Sequence, residues 1–246
     1  MQMNVEASVN KLVSWLREQV ITAGGKGVVI GMSGGLDSSV TAVLCHHAFP
    51  RTTLGVLMPC HSNNEDTEHA GLVASRFSIP TRFVVLDEVF DTLLKVLPGD
   101  SFESAAKRLA QANLKPRLRM LTLYYFANSL NYTVVGASNR SELSVGYFTK
   151  HGDSGVDILP LGNMVKREVI ELARFLNIPR EIIDKPPSAG LWPGQTDEEE
   201  LGLSYEELDG YLTTGITSSI VKQRIESMIT ASHHKCQPPP IARFND

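Results

Sequence analysis

The chain has only three cysteines in 246 residues, Cys45, Cys60 and Cys236, far apart and without a CxxC pair. That excludes a disulfide framework and gives no zinc pattern. No apolar run reaches membrane-spanning length, and no charged amino-terminal segment precedes an apolar block. A reduced cytoplasm is therefore the expected location, with no membrane partner. Excess positive charge is also missing. The formal net charge is −4, so nothing draws nucleic acid globally and any polyanion site must be local. Repeats and low-complexity segments are absent as well.

What is present is a 42% hydrophobic chain long enough to bury a full core. One stretch organises it, GVVIGMSGGLDSSVTAVL at residues 27–44. Val28, Val29 and Ile30 read as a buried parallel strand, Gly31 to Gly35 as a turn, and Val40, Val43 and Leu44 as one face of a helix. Strand, glycine turn and helix together present backbone amides at a helix amino terminus, where phosphate binds. The turn has no lysine, so it is not GxxxxGK[ST], and it has no GxGxxG. As a plain glycine turn it would carry Asp37 as a helix cap.

Elsewhere, Val9 to Val20 predict an amphipathic opening helix, and 52–58, 81–86 and 132–135 predict three more strands. Helices are expected over 89–97, broken at Pro98-Gly99, and over 101–113, 117–130 and 165–176, with Pro116 between the second and third. Ser62 or Asn63 caps a helix that opens with Glu65 and Asp66, and Ser204 with Glu207 forms a capping box. A further helix covers Ile220 to Ile229, and 146–157 reads as a loop. Lys185 to Glu200 carries three prolines and two glycines and reads as a mobile loop, with Asp197 to Glu200 as a solvated acidic run. Strands alternating with helices predict a doubly wound parallel sheet in one α/β domain, with ligands at the carboxyl ends of the strands.

The SGGxDS turn is the signature of the ATP pyrophosphatase (PP-loop) superfamily, whose fold is that of the adenine nucleotide alpha-hydrolases. NLKPRLRM at 113–120, VGASNRSEL at 135–143, the run from Gly146 to Val169, the run from Lys185 to Leu212 and HHK at 233–235 narrow the likeness. The chain resembles the ammonia-dependent NAD synthetases along almost its whole length. That resemblance implies ATP-dependent amidation of deamido-NAD with ammonia through an acyl-adenylate, with no covalent protein nucleophile. It places ATP on Gly31, Met32, Ser33, Gly34, Gly35, Leu36, Asp37, Ser38, Ala137, Lys166 and Ser188, and Mg²⁺ on Asp37 and Glu142. Deamido-NAD falls to Arg117 or Arg119, Lys150, Asp157, His234 and Lys235. Two residues apart on one helix, the arginines lie about 200° apart and cannot both face one ligand.

Ala137 departs from the family pattern, which has a threonine hydroxyl there. The resemblance also implies a homodimer. Leu121, Leu123, Tyr124, Tyr125 and Phe126 put more apolar surface on one helix than a single buried face needs. Two other readings remain. One is a different PP-loop adenylating enzyme, such as a GMP synthetase core or a tRNA thiolase. The other is an ATP-binding protein that does not turn over.

Overall fold

The computed structural model describes residues 3–98, 104–188, 190, 192 and 194–242. The chain opens with α1 (Val5–Thr22), followed by β1 (Val28–Gly31), α2 (Leu36–Ala48), β2 (Thr53–Leu57), α3 (Asn64–Arg76) and β3 (Thr81–Phe83). Next come α4 (Asp87–Val96), α5 (Ser104–Ala112), α6 (Leu114–Leu130), β4 (Thr133–Val135), α7 (Arg140–Val145) and α8 (Lys166–Phe175). Among the described residues four short or medium helices follow, α9 (Arg180–Ile183), α10 (Asp197–Leu201), α11 (Tyr205–Thr214) and α12 (Ser219–Ser232), and then a 3-10 turn at His233–Lys235.

The four strands pair in parallel in the order β3-β2-β1-β4. Val28 and Val29 are fully buried because helices cover both faces. On one face α1, α2 and α8 pack together around Leu16, Val40, Leu44 and Leu172. On the other, α4 and α6 bring Phe90 and Leu123 against Val29 and Val134. The chain leaves β1 in one direction to β2 and reaches β4 on the other side. The topological switch point therefore lies at the carboxyl end of β1, where the glycine turn is. A satellite core of Val145, Leu203, Tyr205, Leu208 and Ile225 joins α7, α11 and α12 beside that end.

Three expectations are corrected and one open choice, the cap of α3, is settled. Pro116 lies within the first turn of α6 rather than between two helices, a position where a missing amide proton costs nothing. The third strand stops at Phe83. Asn63 caps α3 by accepting from the Glu65 amide, while the Ser62 hydroxyl accepts from Cys60 and from Arg119. Residues 197–201 form α10, so the expected loop ends early. The start of the helix expected over 101–113, the break at Gly99 and the loop residue Leu191 lie outside the described residues.

Candidate active site

The glycine turn is built by close approach. Gly34 has φ +80°, and a β-carbon there would overlap the carbonyl oxygen of Asp66, so only glycine fits. The Ser33 and Ser38 hydroxyls bond each other at 2.9 Å, and Ser33 Oγ accepts from the Gly35 amide at 3.3 Å. Ser38 and Ser39 both donate to the Gly35 carbonyl. The N-cap of α2 is Gly35, and no side chain caps it. The first-turn amides and the positive end of the helix dipole thus face out of the carboxyl edge of the sheet.

Asp37 is not the cap. Its Oδ1 accepts from Asn139 Nδ2 at 2.9 Å, and its Oδ2 is ion-paired with Lys166 Nζ. The Lys166 ammonium also lies 3.7 Å from Glu142 Oε1. Sequence positions 37, 142 and 166 thus meet at one point below the turn. Burial alone would depress the Lys166 pKa, but the charges of Asp37 and Glu142 outweigh it and hold the ammonium firmly protonated. Glu142 is pushed up to about 8, first by burial and then by the charge of Asp37, against the opposing pull of Lys166.

Local structure explains why these side chains converge. Asn139 caps α7 in a reciprocal box with Glu142: Asn139 Oδ1 accepts from the Glu142 amide, and Glu142 Oε2 accepts from the Asn139 amide. The amino end of α8 is held by a second pair. Ser141 donates to Asp209 Oδ1 at 2.5 Å, the Lys166 amide donates to Ser141 Oγ, and the Arg167 amide donates to Asp209 Oδ2. Asn139, Ser141 and Asp209 were not anticipated as site residues. For Asn139 the signal was present, since NRSE has the spacing of a capping box. Ala137 follows β4 half-buried, and the neighbouring Ser138 is buried.

A second group gathers at the carboxyl-terminal tail. Arg117 Nη2 donates to the Lys150 carbonyl, and Lys150 Nζ donates to the His234 carbonyl at 2.9 Å. Lys235 Nζ donates to the Gly146 carbonyl at 2.6 Å and lies over the Phe148 ring. Gly146 has φ +67°, and a β-carbon there would overlap Ser232, so the tail can dock against it only when it is glycine. Arg119 points elsewhere, into the end of β2, where Nε donates to the Met58 carbonyl. Of the two arginines, Arg117 is the one beside Lys150. Asp157 accepts from the Val134 amide and the Tyr124 hydroxyl.

The segment after Lys185 lies beside the turn. Lys185 Nζ contacts Asp66 Oδ1 at 2.7 Å and Glu65 Oε2 at 3.3 Å. A β-carbon on Gly190 would lie 3.7 Å from Asp66 Oδ2. Asp66 therefore separates this segment from Gly34. Ser188 is exposed, its hydroxyl accepting from the Gly190 amide. The Arg108 guanidinium stacks 4.8 Å from the Trp192 ring centroid. Asp197 corrects the expected solvated run: only 4% of it is exposed, because the first residue of α10 turns inward while Glu198, Glu199 and Glu200 face water. A cavity of about 460 Å³ lined by Arg76, Arg174 and Arg180 borders the carboxyl ends of α3 and α8, at the opposite edge of the sheet.

The chain is similar to known proteins along almost its whole length. The NAD synthase family model matches residues 8–239. The NH(3)-dependent NAD(+) synthetase of Carboxydothermus hydrogenoformans is 48% identical, over 98% of this chain and 99% of its own. The structure of NMN synthetase from Francisella tularensis superposes with a TM-score of 0.93 at 35% identity, covering 99% of this chain and 100% of that one. The NH3-dependent NAD synthetase of Campylobacter jejuni, in complex with the nitrate ion, gives a TM-score of 0.80 at 26% identity over 98% and 100%.

Proposed function

Because the chain belongs to the NAD synthase family, we propose that the Asp37–Lys166–Glu142 cluster beneath the glycine turn is where ATP is opened and a carboxylate adenylated. The protein is a ligase forming a carbon–nitrogen bond. With ATP it amidates deamido-NAD with ammonia, giving NAD, AMP and pyrophosphate. The convergence of a phosphate-ready helix end with a buried lysine and two carboxylates carries the site assignment.

The chemistry fits those residues. A carboxylate resists ammonia because oxide is too poor a leaving group. Adenylation replaces oxide with AMP, so the protein must position and neutralise rather than supply a nucleophile. The turn from Gly31 to Ser38 would cradle the departing pyrophosphate, with Lys166 as a fixed positive charge and Ser188 as a donor from the neighbouring segment. Ala137 offers only a methyl group to ATP. Asp37 and Glu142 are hard oxygen donors already sharing one cation, a set suited to Mg²⁺, which would offset phosphate charge there. Among the described residues no cluster of three or more His, Cys, Asp or Glu could hold a metal. Two carboxylates would thus be the protein's share, with phosphate and water completing the shell. Arg117, Lys150, His234 and Lys235 supply local positive charge and donors for the dinucleotide, with Asp157 beside β4.

Purified protein should release AMP and pyrophosphate when ATP, Mg²⁺, ammonium and deamido-NAD are all present, and not when deamido-NAD is left out. A second reading, favoured by the likeness to the Francisella protein, takes the corresponding mononucleotide as acceptor. Both acceptors should therefore be offered separately. A higher kcat/KM for deamido-NAD supports the first reading and a higher value for the mononucleotide the second. Release with neither contradicts both.

The dimer rests on exposed apolar surface. Leu121 and Tyr125 of α6 are 61% and 68% exposed, and Val89, Val96, Phe83 and Val85 are also open. An isologous contact through this face would cover them. Light scattering should give twice the chain mass, and Tyr125→Glu should shift it toward monomer. A fully active monomer would remove the contact. Among the described residues no helix is long and apolar enough to cross a membrane. The three unpaired cysteines suit a reducing cytoplasm.

The segment carrying Ser188 and Trp192 would shield the acyl-adenylate from water. Trp192→Ala, which removes the Arg108 stack, should raise ATP consumed per NAD formed by a few fold. An unchanged ratio would make the segment a passive connector.

A further inference from the structure

Asp197 is a buried carboxylate that none of the roles above employs. Its Oδ1 accepts from the Tyr147 hydroxyl and its Oδ2 from the Tyr205 hydroxyl, each at 3.0 Å. Its amide donates to the Pro187 carbonyl at 3.0 Å, one residue before Ser188. The Tyr205 ring lies 5.1 Å from the Lys166 ammonium, within cation–π range. Tyr147 further contacts Glu200 Oε2 at 2.6 Å, and Gln195 donates to that same oxygen. A single residue thus ties the ring beneath the catalytic lysine to the backbone that carries Ser188.

We propose that Asp197 is a positioning residue for the ATP side of the reaction, clamping the two tyrosines so that Lys166 and the Ser188 segment are held in register. This rests on the assignment of Lys166 and Ser188 to ATP. The geometry explains how this carboxylate stays buried: Oδ2 meets the Tyr205 hydroxyl and Oδ1 the Tyr147 hydroxyl, whose one proton is shared with Glu200, and these contacts offset part of the desolvation. Alanine here would free both hydroxyls and let the Tyr205 ring leave Lys166. Asparagine would keep the clamp. Its Oδ1 accepts from Tyr205 and its amide donates to the Tyr147 oxygen, whose own proton then goes to Glu200.

The test is steady-state kinetics on the full chain, with the folded fraction checked by thermal unfolding. For Asp197→Ala, loss of two hydrogen bonds predicts about a tenfold rise in KM for ATP and at least a similar fall in kcat. KM for deamido-NAD should stay within about twofold, since Lys150 and His234 are untouched. Asp197→Asn should recover kcat to within about threefold of the parent protein. If Asp197→Ala does not fold, the Tyr147→Phe/Tyr205→Phe double variant, which keeps both rings, decides in its place by the same rise in KM for ATP.

An unchanged KM for ATP in folded variant overturns the proposal. So does an Asp197→Asn protein as impaired as Asp197→Ala, which would make charge the essential property. A parent protein with no ATP turnover on deamido-NAD would instead overturn the functional reading.

Discussion

Asp37→Asn is expected to lower kcat by roughly a hundred- to a thousandfold, the usual effect of removing one preorganised electrostatic group from a transition-state site. The substitution preserves volume, and the asparagine oxygen can still accept from Asn139 Nδ2. The new amide nitrogen faces the Lys166 ammonium, donor against donor, and the negative charge proposed to hold Mg²⁺ is gone. Stability should change little. Lys166 keeps Glu142 as a partner, so no uncompensated buried charge remains, and about 1 kcal/mol is lost, which for a chain of this size is a Tm shift of about 2–4 °C. Near-normal turnover at modest Mg²⁺ would reduce Asp37 to a structural residue.

Lys166→Met should be damaging in two separable ways. It removes the positive charge proposed to meet the phosphates, again costing roughly a hundredfold or more in kcat. It also leaves Asp37 and Glu142, only 16% and 15% exposed, facing each other without their shared cation. Breaking a buried pair from one side costs about 3 kcal/mol, or roughly 6–12 °C in Tm. Adding Asp37→Asn to Lys166→Met should restore most of that stability while activity stays lost, because the unpaired buried charge of Asp37 is then gone as well. Mg²⁺ should raise the Tm of Lys166→Met more than that of the parent chain, since the Asp37 carboxylate, with Glu142 beside it, then lacks its cation. Equal Tm values for the parent and Lys166→Met would contradict the geometry of the cluster.

The strand–turn–helix around Gly34 was legible because periodicity and glycine spacing both mark it locally. So was the doubly wound sheet, whose strands are short β-branched runs. The meeting of Asp37, Glu142 and Lys166 came from motif resemblance, since no local pattern brings together positions more than 100 residues apart. Asp197 was misread for the opposite reason. An acidic run looks solvated from composition, and only the turn of α10 selects its first residue for burial beneath tyrosines 50 positions before and 8 after it. Which of Arg117 and Arg119 lies beside Lys150 needed the fold as well. Helical geometry separates them, but which face meets Lys150 depends on where the loop after Gly146 returns. Asp37 illustrates a local competition: its type suits capping, yet Gly35 takes that position and leaves the carboxylate free for Lys166.

If this site makes an acyl-adenylate before ammonia arrives, the fate of one carboxylate oxygen records it. If a carboxylate oxygen of deamido-NAD attacks the α-phosphorus of ATP, pyrophosphate leaves and that oxygen bridges carbon and phosphorus. Ammonia then adds at the carbonyl carbon, and the oxygen departs with AMP. Deamido-NAD labelled with ¹⁸O in its carboxylate should therefore give AMP carrying one labelled phosphate oxygen, with none in pyrophosphate. Unlabelled AMP, or label in pyrophosphate, would contradict the account.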